Sequence, residues 1–188
     1  MKILKTVLLG LVCVALLSGF GFRKDSPEKQ RQEIDQMAAQ VLDDLYREAP
    51  GSKTLIENAA GYAVFSSIGM NVFVVSTANG SGVAHYAGSG DKVYMKMLSA
   101  GTGIGMGVKD YRLIFVFQNK SALDTFVDQG WTAGAQADAA ATHDDQGDAA
   151  ALAIDVSPGV KLFQLTESGV ALQATIQGTK YWKDEDLN

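Results

Sequence analysis

A single cysteine and two histidines leave this 188-residue chain with little of the chemistry on which most enzyme and metal sites are built. Cys13 permits no internal disulfide framework and no multi-cysteine metal site. It lies inside an apolar run and follows Val12, so the small residue that precedes an acylated lipoprotein cysteine is missing. His85 and His143 share neither H-x-x-x-H nor H-E-x-x-H spacing, which excludes a helical zinc pair. No G-x-S-x-G elbow occurs, and Ser66-Ser67 leads into Ile68-Gly69 rather than into a helix. The acidic run Asp144-Asp145-Gln146-Gly147-Asp148 lacks the alternating aspartates and distal glutamate of a calcium loop, and reads as an exposed loop. No catalytic residue, metal or cofactor is therefore expected. A hydrolase of unrecognised type is left only as a third reading, because a triad assembled in space has no sequence signature.

Disorder is not the default reading either, since 47% of the side chains are hydrophobic and only 20% charged. Lys2 and Lys5 precede an uncharged stretch from Thr6 to Phe22, and Arg23-Lys24 then restores polarity. That order is an export signal, cleaved after Ser18 or Gly21 or kept as an anchor. The expected division is a signal peptide or signal anchor at 1–21 and one domain at 22–188, placing the protein in the periplasm or at the membrane of a bacterial envelope. Without residues 1–21 the chain holds 14 basic and 21 acidic residues, a net charge of −7 that disfavours nucleic acid as a partner.

Ile34, Met37, Ala38, Val41 and Leu45 recur at helical spacing after Ser26-Pro27, predicting an amphipathic helix over about 30–48. A second, short helix is expected from a Ser52 cap to Ala60, with Gly61 as its left-handed terminator. From Tyr62 the period becomes two. Strands are predicted near 62–66, 70–77, 82–87, 92–99, 101–108, 111–118, 131–139, 151–156, 160–166 and 169–181, with turn signals at Asn79-Gly80, Gly88-Ser89-Gly90 and Ser157-Pro158-Gly159. One further helix, capped by Asn119 or Ser121 and stopped by Gly130, presents Leu123, Phe126 and Val127. The fold class is α+β: N-terminal helices, then a β-rich, mostly antiparallel sheet or partly closed barrel with one more short helix.

Four glycines alternate through Gly101-Thr-Gly-Ile-Gly-Met-Gly107, which makes Gly103 and Gly105 structural rather than phosphate-binding, because a dinucleotide loop needs G-x-G-x-x-G turning into a helix. In Asp91–Leu98, alternation sets Lys92, Tyr94 and Lys96 on one face and Val93, Met95 and Met97 on the other. With Lys109 and Arg112, which flank an expected tight turn at Lys109-Asp110, these are the compact basic clusters of the β-region and the candidate lipid contacts. A solvated strand face over a methionine-rich core fits the same pattern. His85 alternates with Ala84 and Tyr86 and reads as a surface histidine.

Several segments, in order, resemble the SYLF family: Ala59-Ala60-Gly61-Tyr-Ala-Val-Phe65-Ser, Leu98-Ser-Ala-Gly-Thr-Gly-Ile-Gly-Met-Gly107, Leu113-Ile-Phe-Val-Phe117, Ala122-Leu-Asp-Thr-Phe126, Gly130-Trp131 with Gly134, and the hairpin at 159–178. The resemblance covers about residues 27–182. Ser67 stands where members carry proline, Asn71–Thr77 where they carry several glycines, and Ser157–Leu162 departs from their F-S-x-x-G-L. The resemblance implies a lipid-binding domain without enzymatic activity, contacting phospholipid or the membrane surface. Actin, a partner of eukaryotic members, is not expected for an exported bacterial protein. The alternative is a structural or assembly protein of the envelope with a protein partner.

Overall fold

A computed structural model describes residues 25–72, 75–102, 107–132, 152–166, 169–171 and 178–188. The chain-order elements are helices α1 (Pro27–Glu48), α2 (Ser52–Glu57) and α3 (Lys120–Asp128), with strands β1 (Gly61–Val72), β2 (Val75–Tyr86), β3 (Lys92–Thr102), β4 (Gly107–Phe117), β5 (Trp131–Thr132), β6 (Ile154–Ser157), β7 (Val160–Thr166), β8 (Gly169–Ala171) and β9 (Thr179–Lys183). The strands run β5-β9-β3-β2-β1-β4-β7-β6, with β8 on β7, and every pairing is antiparallel. The sheet curls into a half-barrel. The expected α+β class holds at this level.

Alternation along the strands gives the sheet two apolar faces. Val64, Val83, Ile114 and Phe163 point to one, where Ile34, Ala38, Val41 and Leu45 of α1 cover them. Ala63, Phe65, Leu113, Phe115, Phe117 and Tyr181 point to the other, against Leu123, Phe126 and Val127 of α3. Full burial of each large aliphatic side chain is worth about 1.5–3 kcal/mol, so the three buried residues Ile34, Val41 and Leu45 anchor α1. Ser26 caps α1, its Oγ accepting from the Lys29 amide at 3.3 Å. Asn119 caps α3 through the Ala122 amide at 2.9 Å, and Gly130, with φ +70°, stops it.

α1 runs across the strands. Asp35 reaches Lys92 on β3, Asp44 reaches Arg112 on β4, and Glu48 lies beside Gly169 on β8. Among the described residues no helix is long and apolar enough to cross a membrane.

Several local expectations are corrected. The two strands expected at 62–66 and 70–77 form, with 82–87, a hairpin of two twelve-residue strands that closes between Val72 and Val75. Asn79-Gly80 is therefore no turn but lies mid-strand, paired with Ile68 and Ser67 on one side and Leu98 and Met97 on the other. Lys109-Asp110 likewise sits inside β4, opposite Gly69 and Ile68. The strand expected at 101–108 is divided between the end of β3 and the start of β4, which do not pair directly. Gly61 opens β1 instead of ending a helix, and α2 has Gly51 rather than Ser52 at its cap. The strand expected at 169–181 is two, β8 and β9. Gly103, Gly105, Cys13, His143, the acidic run at 144–148 and the apolar terminus at 1–21 lie outside the described residues.

Gly82 shows why glycine is used within a central strand. It pairs with Phe65, and a Cβ there would strike the Val64 carbonyl oxygen and the Phe65 ring. Glycine lets the ring lie over the neighbouring backbone. Gly82→Ala is expected to destabilise the fold by roughly 1–3 kcal/mol through overpacking, whereas Gly88→Ala, whose Cβ would meet nothing within 4 Å, should cost little. Urea denaturation of the two variants checks this, and equal midpoints would contradict it.

Candidate functional site

Register across the central strands lines up polar side chains in rows on the α1 face. One row passes through Trp182, Lys96, Ser81, Ser66 and Arg112 on β9, β3, β2, β1 and β4. The next apolar row, Tyr94, Val83, Val64, Ile114 and Phe163, seats α1. Beyond it Lys92, His85 and Tyr62 form a second polar row. The helix thus sits on an apolar band with polar rows on either side.

Where the first row passes under the N-terminal half of α1, it opens a cleft of about 630 Å³. Ser66, Ser81, Asn79 and Lys96 supply polar groups from the sheet, while Gln30 and Glu33 supply them from the helix. Ile34, Met37, Trp182 and Leu187 provide apolar lining. Leu98, 42% exposed, is the one exposed large hydrophobic residue among those described, and it lies two residues beyond Lys96 on the same strand. Its register partner on β9 is Lys180, whose Nζ stands 5.9 Å from the centre of the Trp182 ring. Trp182 lines the cleft and Lys180 and Leu98 follow it at the next register position, a combination that suits a boundary between water and an apolar phase.

The expected basic face exists as drawn from alternation: Lys92, Tyr94 and Lys96 share a side, and Val93, Met95 and Met97 pack on the other. Its cations, however, serve internal pairs. Lys92 Nζ donates to Asp35 at 2.9 Å, and the Tyr94 hydroxyl approaches the same carboxylate oxygen at 3.3 Å. Tyr94 is itself buried, at 8% exposure. Lys96 Nζ lies 2.7 Å from Asp184 and 3.7 Å from Asp186. Hydrogen bonds to these carboxylates, first among the causes, raise the pKa values of both lysines, so both remain cationic. Burial, ahead of Asp35, raises that of Tyr94.

Arg112 donates to Asp44 at 2.7 Å, and Asp44 also accepts from Arg47. Arg112 stands in the Lys96 row, so the two basic clusters face the same side through this residue. Lys109 pairs in register with Gly69 on β1. Ser66 and Ser67 belong to a regular strand and have no imidazole opposite them, their partners being Arg112, Tyr111, Ser81 and Gly80. Among the described residues no three histidine, cysteine or carboxylate side chains gather as a metal-ligand set.

Lys180, Trp182, Glu33 and Asp184 were not among the residues singled out from sequence. The alternation of Lys180-Tyr181-Trp182-Lys183 carried the signal, because Tyr181 buries completely and Trp182 must then face the α1 side. The C-terminal turn fixes Asp184 there. Asp184 N–H donates to the Tyr94 carbonyl at 2.9 Å, the Asn188 amide brackets the Tyr94 backbone at 2.8 and 2.9 Å, and Leu187 buries against the α1-side core.

The fold and this cleft describe an α+β domain in which a cross-strand helix roofs a polar trough on a curled antiparallel sheet. The family described as Ysc84, Las17-binding protein actin regulator, matches residues 98–188. The chain is 37% identical over 160 residues to Beta cell expansion factor A of Aeromonas veronii, across 85% of this chain and 59% of that protein's length. Residues 98–188 thus carry a Ysc84 domain, the SYLF domain of the sequence resemblance.

His85 generates a pH dependence at the far polar row. Its ring stacks on Tyr62 with centroids 5.1 Å apart, its Nδ1 is buried without a partner, and burial, then the Lys92 charge, lowers its pKa. A lowered folded-state value means that the unfolded chain binds the proton more tightly. The neutral ring's contribution is therefore complete above the unfolded value of about 6.5 and is lost as pH falls through the folded value. Thermal melts between about pH 7 and pH 5 should fall less steeply for His85→Phe, which keeps the stack without titrating, than for the wild type. Parallel curves would exclude this role for His85.

Proposed function

We propose that this chain is a non-enzymatic protein of the bacterial envelope that binds phospholipid at the membrane surface through its SYLF domain. The observation that carries the reading is the cleft's outer side, where Trp182 lines the polar trough and the exposed Leu98 and its register partner Lys180 come next along β3 and β9. The domain match supports it, lipid binding being a general property of SYLF domains. Export by the apolar terminus at 1–21, to the periplasm or the membrane surface, belongs to the same proposal and removes actin as a partner.

Of the expected contacts Lys96 is foremost because it lines the cleft; Lys92, Lys109 and Arg112 remain proposed, and Tyr94, 8% exposed beneath α1, is less accessible than Lys92, Lys96 or Arg112. The overall charge of −7 without residues 1–21 opposes adsorption to strongly anionic bilayers, which favours local and largely apolar contact. Ion pairing of Lys92 and Arg112 to α1 works in the same direction.

Liposome flotation of the purified protein tests the reading. Binding without any protein partner is expected. Leu98→Asp should weaken it several-fold, since a charge replaces an exposed apolar contact, while leaving the circular dichroism spectrum unchanged. Failure to float with any lipid composition would favour an envelope assembly protein instead.

A further inference from the structure

The charges lining the cleft specify more than lipid in general. Lys96 is the one cation in the lining itself, with Lys180 just outside it over the Trp182 ring, and Lys96 already lies 2.7 Å from Asp184, whose side chain is 6% exposed. Glu33 adds a second carboxylate from α1; its side chain is 55% exposed, and its nearest cation is the exposed Lys29 one turn earlier, at 3.5 Å. Asp186 approaches the same ammonium from outside at 3.7 Å. An anion with no positive charge of its own would have to compete with Asp184 for Lys96 and would leave both lining carboxylates without a ligand partner. A purely cationic group would leave Lys96 and the serine hydroxyls unused.

We infer that, if the lipid-binding reading holds, the cleft under α1 recognises a zwitterionic headgroup that carries a primary ammonium beside a phosphate, as in phosphatidylethanolamine. The phosphate takes Lys96 with the Ser66 and Ser81 hydroxyls and the Asn79 amide. The ammonium takes Glu33 and Asp184. Each charge on the ligand then meets its opposite, and the mixed lining becomes complementary rather than frustrated.

A primary ammonium fits better than the trimethylammonium of choline for two reasons. It has three N–H donors to share between carboxylates, whereas choline has none. Choline binding relies on aromatic faces, and Trp182, the one aromatic residue lining the cleft, already carries Lys180 over its ring. The acyl chains leave past Met37, Trp182 and Leu98. A lipid rather than a free phosphoamine is the occupant because apolar side chains border the polar trough.

Flotation with phosphatidylcholine vesicles, plain or containing either phosphatidylethanolamine or phosphatidylglycerol at equal mole fraction, tests the inference. The full-length wild-type chain should float best with the phosphatidylethanolamine vesicles. Glu33→Lys, at an exposed helix position that folding tolerates, should bind them about tenfold more weakly, the loss expected for one hydrogen bond to a charged group. The same variant should gain binding to the phosphatidylglycerol vesicles. Asp43→Lys makes the same charge change on α1 away from the cleft and should do neither. Soluble glycerophosphoethanolamine in excess should release the wild type from its vesicles, and inorganic phosphate should not.

Equal flotation with all three vesicles, or equal behaviour of Glu33→Lys and Asp43→Lys, would overturn the headgroup assignment while leaving lipid binding in place. Release by phosphate as readily as by glycerophosphoethanolamine would also overturn it, in favour of plain anion recognition. No flotation of the wild type with any vesicle would instead remove the lipid reading on which the inference rests.

Discussion

The seating of α1 across the sheet is the constraint on which the rest of the molecule depends. The central strands are apolar on both faces, and a sheet of that kind must be covered on both. Glycine and aromatic residues fill one side compactly, with α3, Trp131 and Tyr181 closing over Phe65, Phe115 and Phe117. On the other side α1 is the long cover among the described residues, touching the sheet along the band of Val64, Val83, Ile114 and Phe163. One helix over a curled sheet leaves space where the surfaces diverge, and the cleft lies there.

Ion pairs set where the helix stops. Asp35 with Lys92 and Asp44 with Arg112 hold α1 at two points nine residues apart in sequence, one on β3 and one on β4. Exposed pairs contribute little to stability, but these are partly covered, with the Asp44 side chain at 17% exposure and Arg112 at 30%. Their geometry fixes register more than it adds energy. The same cations looked like ligand contacts from the sequence, and their carboxylate partners explain how an acidic protein can display a basic strand without a basic surface.

Much of this was legible in the chain and some of it could not be. Periodicity located α1 and α3 because their apolar residues, Ile34 to Leu45 and Leu123 to Val127, repeat at helical spacing, and it assigned the faces of β3 correctly residue by residue. Turn chemistry was a poorer guide. Gly88-Ser89-Gly90 and Ser157-Pro158-Gly159 do reverse the chain, with φ of +78° at Gly90 and +75° at Gly159. Asn79-Gly80 does not, because a long-range partner overrides local preference: the backbone of Ser66 and the side chain of Met97 occupy the space where a Cβ at Gly80 would stand. The cleft was illegible because its charges come from Glu33, Lys96 and Asp184, which are brought together only by the helix crossing and the C-terminal turn. No local pattern records that meeting.

The central claim is that α1 stays on the sheet and that ligand enters beneath its N-terminal half. Amide hydrogen exchange of the full chain, with and without phosphatidylethanolamine-containing vesicles, addresses it directly. Added protection should appear around residues 30–37 and 180–184, with the remainder of α1 as protected as before. Loss of protection along α1 on lipid binding, or new protection confined to the α3 side, would contradict the account.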